Sequence, residues 1–218
     1  MKQFLLRIAG ISLSIMASSV LAAPISPASY DTLNGNTGTY HYWDDTYTGI
    51  GSKTTDGSAL SGGKGDLTNG VIATDNWFVT EAPNNNTGPY VGWLDINPTI
   101  KFHFASGTSI DTITIYVDDA DGAGGVSLPS GVTFSNGVTS TSFLIAEQSG
   151  ANPKSFTFSG LGLLGDFVDV TFTRNNSWVF VSEVAFDGGN GNNVPEPGTL
   201  LLLGFGLIAA ASRRYCRM

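Results

Sequence analysis

The sequence predicts an all-β domain, an antiparallel, jelly-roll-like β-sandwich, between two hydrophobic terminal segments. Short stretches in which apolar and polar residues alternate recur through the second half of the chain, as half-buried strands do. Turn clusters such as DDADGAGG and SGANP separate these stretches, and no helical spacing appears between the termini. The chain is also dense in Gly, Asn, Thr and Ser, which favours strands and turns over helices.

The predicted strands follow one another between residues 99 and 189. They are TIKFHF, DTITIYV, SFTFS, DFVDVTFTR and WVFVSEVAFDGG. In the first strand Ile100 and Phe102 share one face, and in the last Trp178 and Phe180 share a face with Ser182. Such alternation predicts one buried and one exposed face for each strand.

Four segments follow from the composition. They are a signal peptide at residues 1–22, a sandwich domain at 23–187, a GGNGNN linker at 188–193 and a tail at 194–218. The first segment has a basic start, an apolar stretch and small residues before the expected cleavage by signal peptidase after Ala22. Export is therefore predicted.

Charge and cysteine content exclude several classes of protein. Residues 24–193 contain five Lys and Arg against 17 Asp and Glu, and such an acidic surface repels nucleic acid. The single cysteine, Cys216, follows the apolar part of the tail, so no disulfide can form within the chain. The exported domain must be held together by its core, with a metal ion as the remaining support.

The tail VPEPGTLLLLGFGLIAAASRRYCRM has three parts in a fixed order. They are a Pro-Glu-Pro motif, a short apolar helix at about 199–212 and a basic cluster, with Pro195, Glu196, Pro197, Arg213 and Arg214 as the motif residues. Its 12 most apolar residues would rise about 18 Å as a helix, against a hydrocarbon core of about 30 Å. A marginal transmembrane helix behind an extended Pro-rich segment indicates a temporary tether, with the arginines in the cytoplasm.

This tail resembles the PEP-CTERM sorting signal. The resemblance implies that a membrane enzyme, exosortase, cleaves the tail of an inner-membrane intermediate in a Gram-negative bacterium. The protein would then reach the cell surface or the extracellular polysaccharide matrix.

Residues from about 65 to 187 are similar to the discoidin-like, galactose-binding β-sandwich domains. The motifs that match are DLTNG, Trp77, YVGWLDINPTIKFHF, GGVSLPSGVTFS and SWVFVSEVAFDG. The resemblance implies a jelly-roll sandwich with ligand-binding loops at one end, often for glycans, and a buried structural calcium. It also places Trp77, Trp93 and Trp178 at positions expected to pack in the core.

By the same resemblance, the calcium ligands would be Asn69 and Glu183. Because Asn replaces an acidic residue there, Asp66 or Asp75 would have to supply the missing charge for a Ca²⁺ site. In the alternative interpretation, Glu183 pairs with Arg174 or faces water.

Two further patterns suggest ligands. In VDDADGAGGVSL, Asp119, Asp121 and Gly122 match an EF-hand loop, but Val117 and Leu128 occupy its first and last ligand positions. A solvated acidic turn is the preferred interpretation, and an unusual surface calcium site is the alternative. GLGLLG at residues 160–165 matches a dinucleotide fingerprint, but a strand pattern follows it where the fingerprint requires a helix.

A sugar-binding surface would combine exposed aromatic rings with polar groups. The candidates by composition are Trp43, Asp44, Asp45, Tyr47 and Tyr90. The two histidines form no hydrolase or zinc motif, so the prediction is a non-catalytic surface or matrix protein that binds glycan. The alternatives are a purely structural matrix component and a polysaccharide-acting enzyme that uses paired carboxylates.

Overall fold

The structure, a computed structural model, describes residues 23–81 and 88–188. The predicted signal peptide, the linker after Gly188 and the whole sorting signal, with its helix at about 199–212, lie outside these residues. Within the described ranges, no helix is long and apolar enough to cross a membrane.

Ten strands and one short helix make up nearly half of the described chain. The strands are β1 (Pro24–Ile25), β2 (Ser29–Leu33), β3 (Ala59–Gly63), β4 (Val91–Leu94), β5 (Thr99–Val117), β6 (Gly131–Ser135), β7 (Ser140–Leu144), β8 (Lys154–Phe158), β9 (Leu163–Thr173) and β10 (Trp178–Gly188). Helix α1 (Trp77–Thr80) is a single turn, and two 3₁₀ turns occupy Asp66–Thr68 and Ala123–Gly125. The strand pairings are all antiparallel, apart from one isolated parallel bridge, so the all-β prediction is confirmed.

Strand β5 belongs to two layers. Its first part, up to His103, pairs with β2 and β9, and the sheet continues from β9 to β6 and β7. Its last part pairs with β8 on one side and β10 on the other, and β10 carries β4 and β1 on its far edge. The register shifts between His103 and Thr108, where Gly107 has a φ of +77°. The two strands TIKFHF and DTITIYV predicted from the sequence are therefore one bent strand.

The core lies between these layers. Phe102 of the first layer meets Phe186 of the second with ring centroids 4.8 Å apart, and Phe134 meets Phe158 at 5.2 Å. Trp93 is fully buried in the same cluster, as predicted. Burial of apolar side chains at roughly 25 cal/mol per Å² is the main force that holds the layers together.

Strand β10 differs from its predicted pattern. The alternation predicts one buried face, but every residue from Trp178 to Val184 is buried, Ser182 and Glu183 included. The reason is that the segment after β3 covers the second face, where Gly70 and Ala73 donate backbone hydrogen bonds to the side chains of Glu183 and Ser182.

Candidate functional site

Several loops meet at one end of the sandwich, called here the loop end. The pairings of Val181 with Val117, of Val117 with Lys154 and of Gly131 with Thr173 bring the segments 118–130, 145–153 and 174–177 together there. Helix α1 lies at the same end, because Asn76 hydrogen-bonds to the residues that follow β5.

An aromatic cleft of about 200 Å³ opens at this end, lined by residues of the segment 38–42, helix α1, the segment 118–130 and strand β10. It is lined by Gly38, Thr39, Tyr42, Trp77, Gly124, Val126, Trp178 and Phe180. Tyr42, Trp178 and Phe180 are buried and belong to a second, smaller hydrophobic cluster. Trp77 is half-buried against that cluster and lies nearly parallel to Phe180, with ring centroids 6.4 Å apart.

The indole of Trp77 has an unused hydrogen-bond donor. Its Nε1 is buried but has no hydrogen-bond partner among the described residues. A buried donor without an acceptor costs about 1–3 kcal/mol. The core position expected for Trp77 is therefore only partly correct, since its ring is half-buried and packs against the smaller hydrophobic cluster.

A buried network orients Trp77. The Asp118 carboxylate accepts hydrogen bonds from the Trp77 backbone N–H at 3.0 Å and from Asn76 Nδ2 at 2.7 Å. The same Asn76 amide donates to the Asp119 carbonyl at 2.8 Å. Burial raises the pKa of Asp118 to about 6. The network ties the start of α1 to the loop after β5.

The predicted sugar-binding residues lie elsewhere. Asp44, Tyr47 and Tyr90 are buried, and none of the three lines the aromatic cleft. The Tyr47 and Tyr90 hydroxyls donate to the Tyr30 carbonyl at 2.5 Å and to the Asp75 carbonyl at 2.9 Å. The rings of Tyr47 and Tyr90, which the sequence pattern placed on the surface, therefore pack in the interior. This packing buries their large apolar area.

Trp43 and Asp45 are only half-buried. The Trp43 indole donates to Asp56 Oδ1 at 2.7 Å and meets His41 edge to face at 4.0 Å. Burial and then the charge of Asp66 raise the pKa of Asp45 to about 6. Neither side chain lines the aromatic cleft.

A buried acidic cluster of Asp44, Asp66 and Glu183 lies beneath the segment 65–70. The Asp66 backbone N–H donates to Asp44 Oδ1 at 2.9 Å, and the Tyr30 hydroxyl donates to Asp44 Oδ2. Gly65 permits this close approach, because a β-carbon there would lie 2.0 Å from Asp44 Oδ1. Glu183 is 8 % exposed, and its Oε2 accepts the Gly70 N–H at 3.0 Å.

This cluster lacks a positive partner among the described residues. The ion pairs within 23–81 and 88–188 are Lys101–Asp169, His103–Asp31 and Arg174–Asp95, so the alternative pairing of Glu183 with Arg174 is wrong. Burial raises the pKa of Glu183 to about 7, and the charge of Asp66 adds to the effect. Burial also raises the pKa values of Asp44 and Asp66.

Two oxygens of this region have no partner in the described part of the chain. Asp66 Oδ2 and Thr68 Oγ1 are buried without a hydrogen bond. These oxygens and the Glu183 carboxylate are of the ligand type that Ca²⁺ prefers.

Two of the predicted metal ligands do not belong to this set. The Asn69 amide donates to Asp66 Oδ1 at 3.1 Å, and its oxygen accepts the Val71 N–H at 2.7 Å, so both ends of the amide are engaged. Asp75 is exposed, and its carboxylate contacts Thr74. Sequence reasoning missed Thr68, which lies two residues after Asp66 on the same 3₁₀ turn.

Comparisons with known proteins give one family match and several partial structural similarities. A model of the PEP-CTERM protein-sorting motif matches residues 193–214. No curated protein matches the chain.

Three solved structures are partly similar to this chain. "CBM32 of AlyQ in complex with 4,5-unsaturated mannuronic acid" has a TM-score of 0.30 and 14% identity over 44% of this chain and 75% of that chain. "Truncated AlyQ with CBM32 and alginate lyase domains" has a TM-score of 0.31 and 14% identity over 46% and 26%. A "Glycoside hydrolase" has a TM-score of 0.34 and 9% identity over 78% and 33%. Scores this low assign no ligand and no activity to this chain.

The family match confirms the sorting signal predicted for the tail. It begins within one residue of the predicted segment at 194–218 and includes Pro195, Glu196, Pro197, Arg213 and Arg214. The chain carries the PEP-CTERM sorting motif of exosortase-sorted surface proteins.

Proposed function

We propose that this protein is a non-catalytic, glycan-binding component of the cell surface or the exopolysaccharide matrix of a Gram-negative bacterium. The observation that carries the proposal is the aromatic cleft with the unpartnered indole N–H of Trp77. The sorting motif supports the location, because it marks a protein that is exported and sorted at the membrane.

The cleft has the chemistry that a sugar ring needs. The C–H groups of a sugar carry partial positive charge and pack against the electron-rich faces of aromatic rings. The Trp77 N–H would donate to a sugar hydroxyl or carboxylate and so regain the hydrogen bond lost on burial. At about 200 Å³ the cleft is smaller than typical ligand pockets of about 300–1,000 Å³, so it suits one sugar residue of a chain.

A polysaccharide array tests this function with three variants of the exported protein. Trp77→Ala removes ring and donor and should abolish binding, whereas Trp77→Phe keeps a ring without the donor and should weaken binding about tenfold, in line with one hydrogen bond of about 1.5 kcal/mol. Leu164→Ala, at an exposed position on β9 far from the loop end, is the matched control. Equal binding by all variants would exclude the cleft as the glycan-binding site. No binding by the wild type would favour a purely structural matrix role.

Two features favour a non-catalytic role over a glycosidase. His103 is engaged with Asp31 at 2.8 Å and His41 packs against Trp43, so both histidines have structural contacts. The adjacent carboxylates of Asp44 and Asp66 are buried, where a polysaccharide cannot reach them. Release of new reducing ends from a bound polysaccharide would overturn this assignment.

One structural Ca²⁺ held by Asp66, Thr68 and Glu183 is part of the proposal. The ion would neutralise the buried carboxylates and give partners to the two unpaired oxygens. It would stabilise the segment 65–70 against β10, away from the cleft, so glycan contact would not run through the ion.

The proposed route to the surface has two cleavages. Signal peptidase would cut after Ala22, and exosortase would then remove the tail from the inner-membrane intermediate. Intact-mass analysis of the exported protein should therefore show that both termini are shortened and that Arg213 and Arg214 are absent. A mass that still includes these arginines would contradict exosortase processing.

A further inference from the structure

The loop after β5 brings a second set of acidic side chains together at the loop end. Asp121 and Gly122 have φ angles of +48° and +85°, which turn the chain sharply after Asp119. Glu147, from the segment between β7 and β8, meets this turn. One carboxylate oxygen from each of Asp119, Asp121 and Glu147 lies within 4.8 Å of the others.

Asp119 is the buried member of this trio. It is 0 % exposed, and only its Oδ1 has a partner, the Asp121 N–H at 3.2 Å. Its Oδ2 is buried without a hydrogen bond in the described part of the chain. Burying a carboxylate without a cation costs several kcal/mol, and a positively charged ligand at this oxygen would offset that cost.

The nearby polar groups do not provide a positive ligand for Asp119 Oδ2. Lys154 lies within electrostatic reach of Asp119, but its ammonium is bound by the Gly150 carbonyl at 2.9 Å and by Asn152 Oδ1 at 2.5 Å. Glu147 Oε2 accepts from Asn175 Nδ2 at 3.4 Å, which orients Glu147 but adds no charge. None of the ion pairs within residues 23–81 and 88–188 involves the trio.

The burial of Asp119 bears on the two interpretations of VDDADGAGGVSL. A solvated acidic turn would leave its carboxylates in water, but Asp119 is fully buried. The EF-hand pattern fails for lack of acids at Val117 and Leu128, yet Glu147 supplies the third carboxylate from a different loop. A site assembled from separate segments is invisible to a motif that reads consecutive residues.

We propose that Asp119, Asp121 and Glu147 form a second divalent-cation site, suited to Ca²⁺, that cross-links the β5–β6 and β7–β8 loops. Three carboxylates offer the oxygen ligands that Ca²⁺ prefers, and the exposed side chains of Asp121 and Glu147 leave room for water in the remaining positions. The site is separate from the structural ion proposed at Glu183 and does not depend on glycan binding.

Calcium titration of the purified exported protein by calorimetry tests the proposal. The double variant Asp121→Asn, Glu147→Gln should bind one Ca²⁺ fewer than the wild type, or bind that ion at least tenfold more weakly. Both changes keep side-chain shape, and Asn tolerates the positive φ at position 121. Titration should extend above about 10⁻³ M, the range of weak extracellular calcium sites.

Two control variants show whether the calcium binding lost in the double variant belongs to this site. Asp166→Asn, on an exposed carboxylate of β9, should leave the stoichiometry unchanged. Glu183→Gln should remove the other ion and retain this one, so failure of either site is recognised separately. The same number and affinity of calcium ions in the double variant and the wild type would overturn the proposal, and so would a wild type that binds no calcium.

Discussion

Gly124 packs directly against the indole of Trp77, and a β-carbon built on Gly124 would lie 2.6 Å from Cζ2 of that ring. Gly124 belongs to the same loop as Asp119 and Asp121. One loop therefore carries acids of the second cation site and forms part of the wall of the aromatic cleft.

Gly124→Ala should damage the cleft more than the fold. The new methyl group must displace Trp77, and the φ of +65° strains any residue other than Gly by roughly 1 kcal/mol. We expect a loss of about 1–3 kcal/mol in the free energy of unfolding and a larger fractional loss of glycan binding. Gly160→Ala, at a positive φ with open space around it, is the matched control. Equal effects of the two changes on binding would contradict the role of Gly124.

Removal of calcium should destabilise the protein through Glu183. An ion present at 100 times its dissociation constant stabilises the native state by about 2.7 kcal/mol, or roughly 5–10 °C in melting temperature for a domain of this size. Chelator should therefore lower the melting temperature of the wild type, and Glu183→Gln should shrink that shift. A shift of the same size in the variant would exclude Glu183 as a ligand.

The effect of Thr68→Val on the free energy of unfolding should change sign when calcium is added. Without calcium, Val removes a buried hydroxyl that has no partner, so we expect stabilisation by about 1–3 kcal/mol. With calcium, the same change removes a ligand and should lower both affinity and melting temperature. Thr46→Val is the contrasting variant, since it breaks a 2.6 Å hydrogen bond to Asp66 and should destabilise in both conditions. A Thr68→Val effect that calcium does not alter would remove Thr68 from the site.

Stability without calcium should fall as the pH rises from about 4.5 to 7. In this window Glu183 is ionised in the unfolded chain but protonated in the native state, because its native pKa is about 7. The native state thus binds more protons, and its free energy of unfolding decreases with pH. The raised pKa values of Asp44 and Asp66 act in the same direction.

Urea unfolding at about pH 5 and about pH 7.5, with and without calcium, measures this dependence. Saturating calcium should remove most of the decrease in the free energy of unfolding with pH, since the ion replaces the protons on the buried carboxylates. Stability that rises with pH in the presence of chelator would contradict the native protonation of the cluster.

Strand patterns in the sequence predicted β5, β8, β9 and β10, whereas the other six strands of the described chain were not predicted. Alternation located β5 and β9, because a face that packs on the core requires it. It failed for β10, whose second face is covered by the distant segment around Gly70. The family resemblance pointed to Asn69 and Glu183, with Asp66 or Asp75 to compensate for the missing acid, but no local pattern connects Asp119 with Glu147, since only the folded loops bring them together.

Strand β10 runs from the cleft to the opposite end of the domain. It begins at Trp178 in the floor of the cleft and ends at Gly188, about 33 Å away along an extended strand. Gly188 donates a backbone hydrogen bond to Ala23 at 2.9 Å, so the chain enters and leaves the domain at the same pole. The two proposed cleavages would therefore act on segments that join the domain at the pole opposite the cleft, and trimming them would leave the proposed glycan-binding cleft unobstructed.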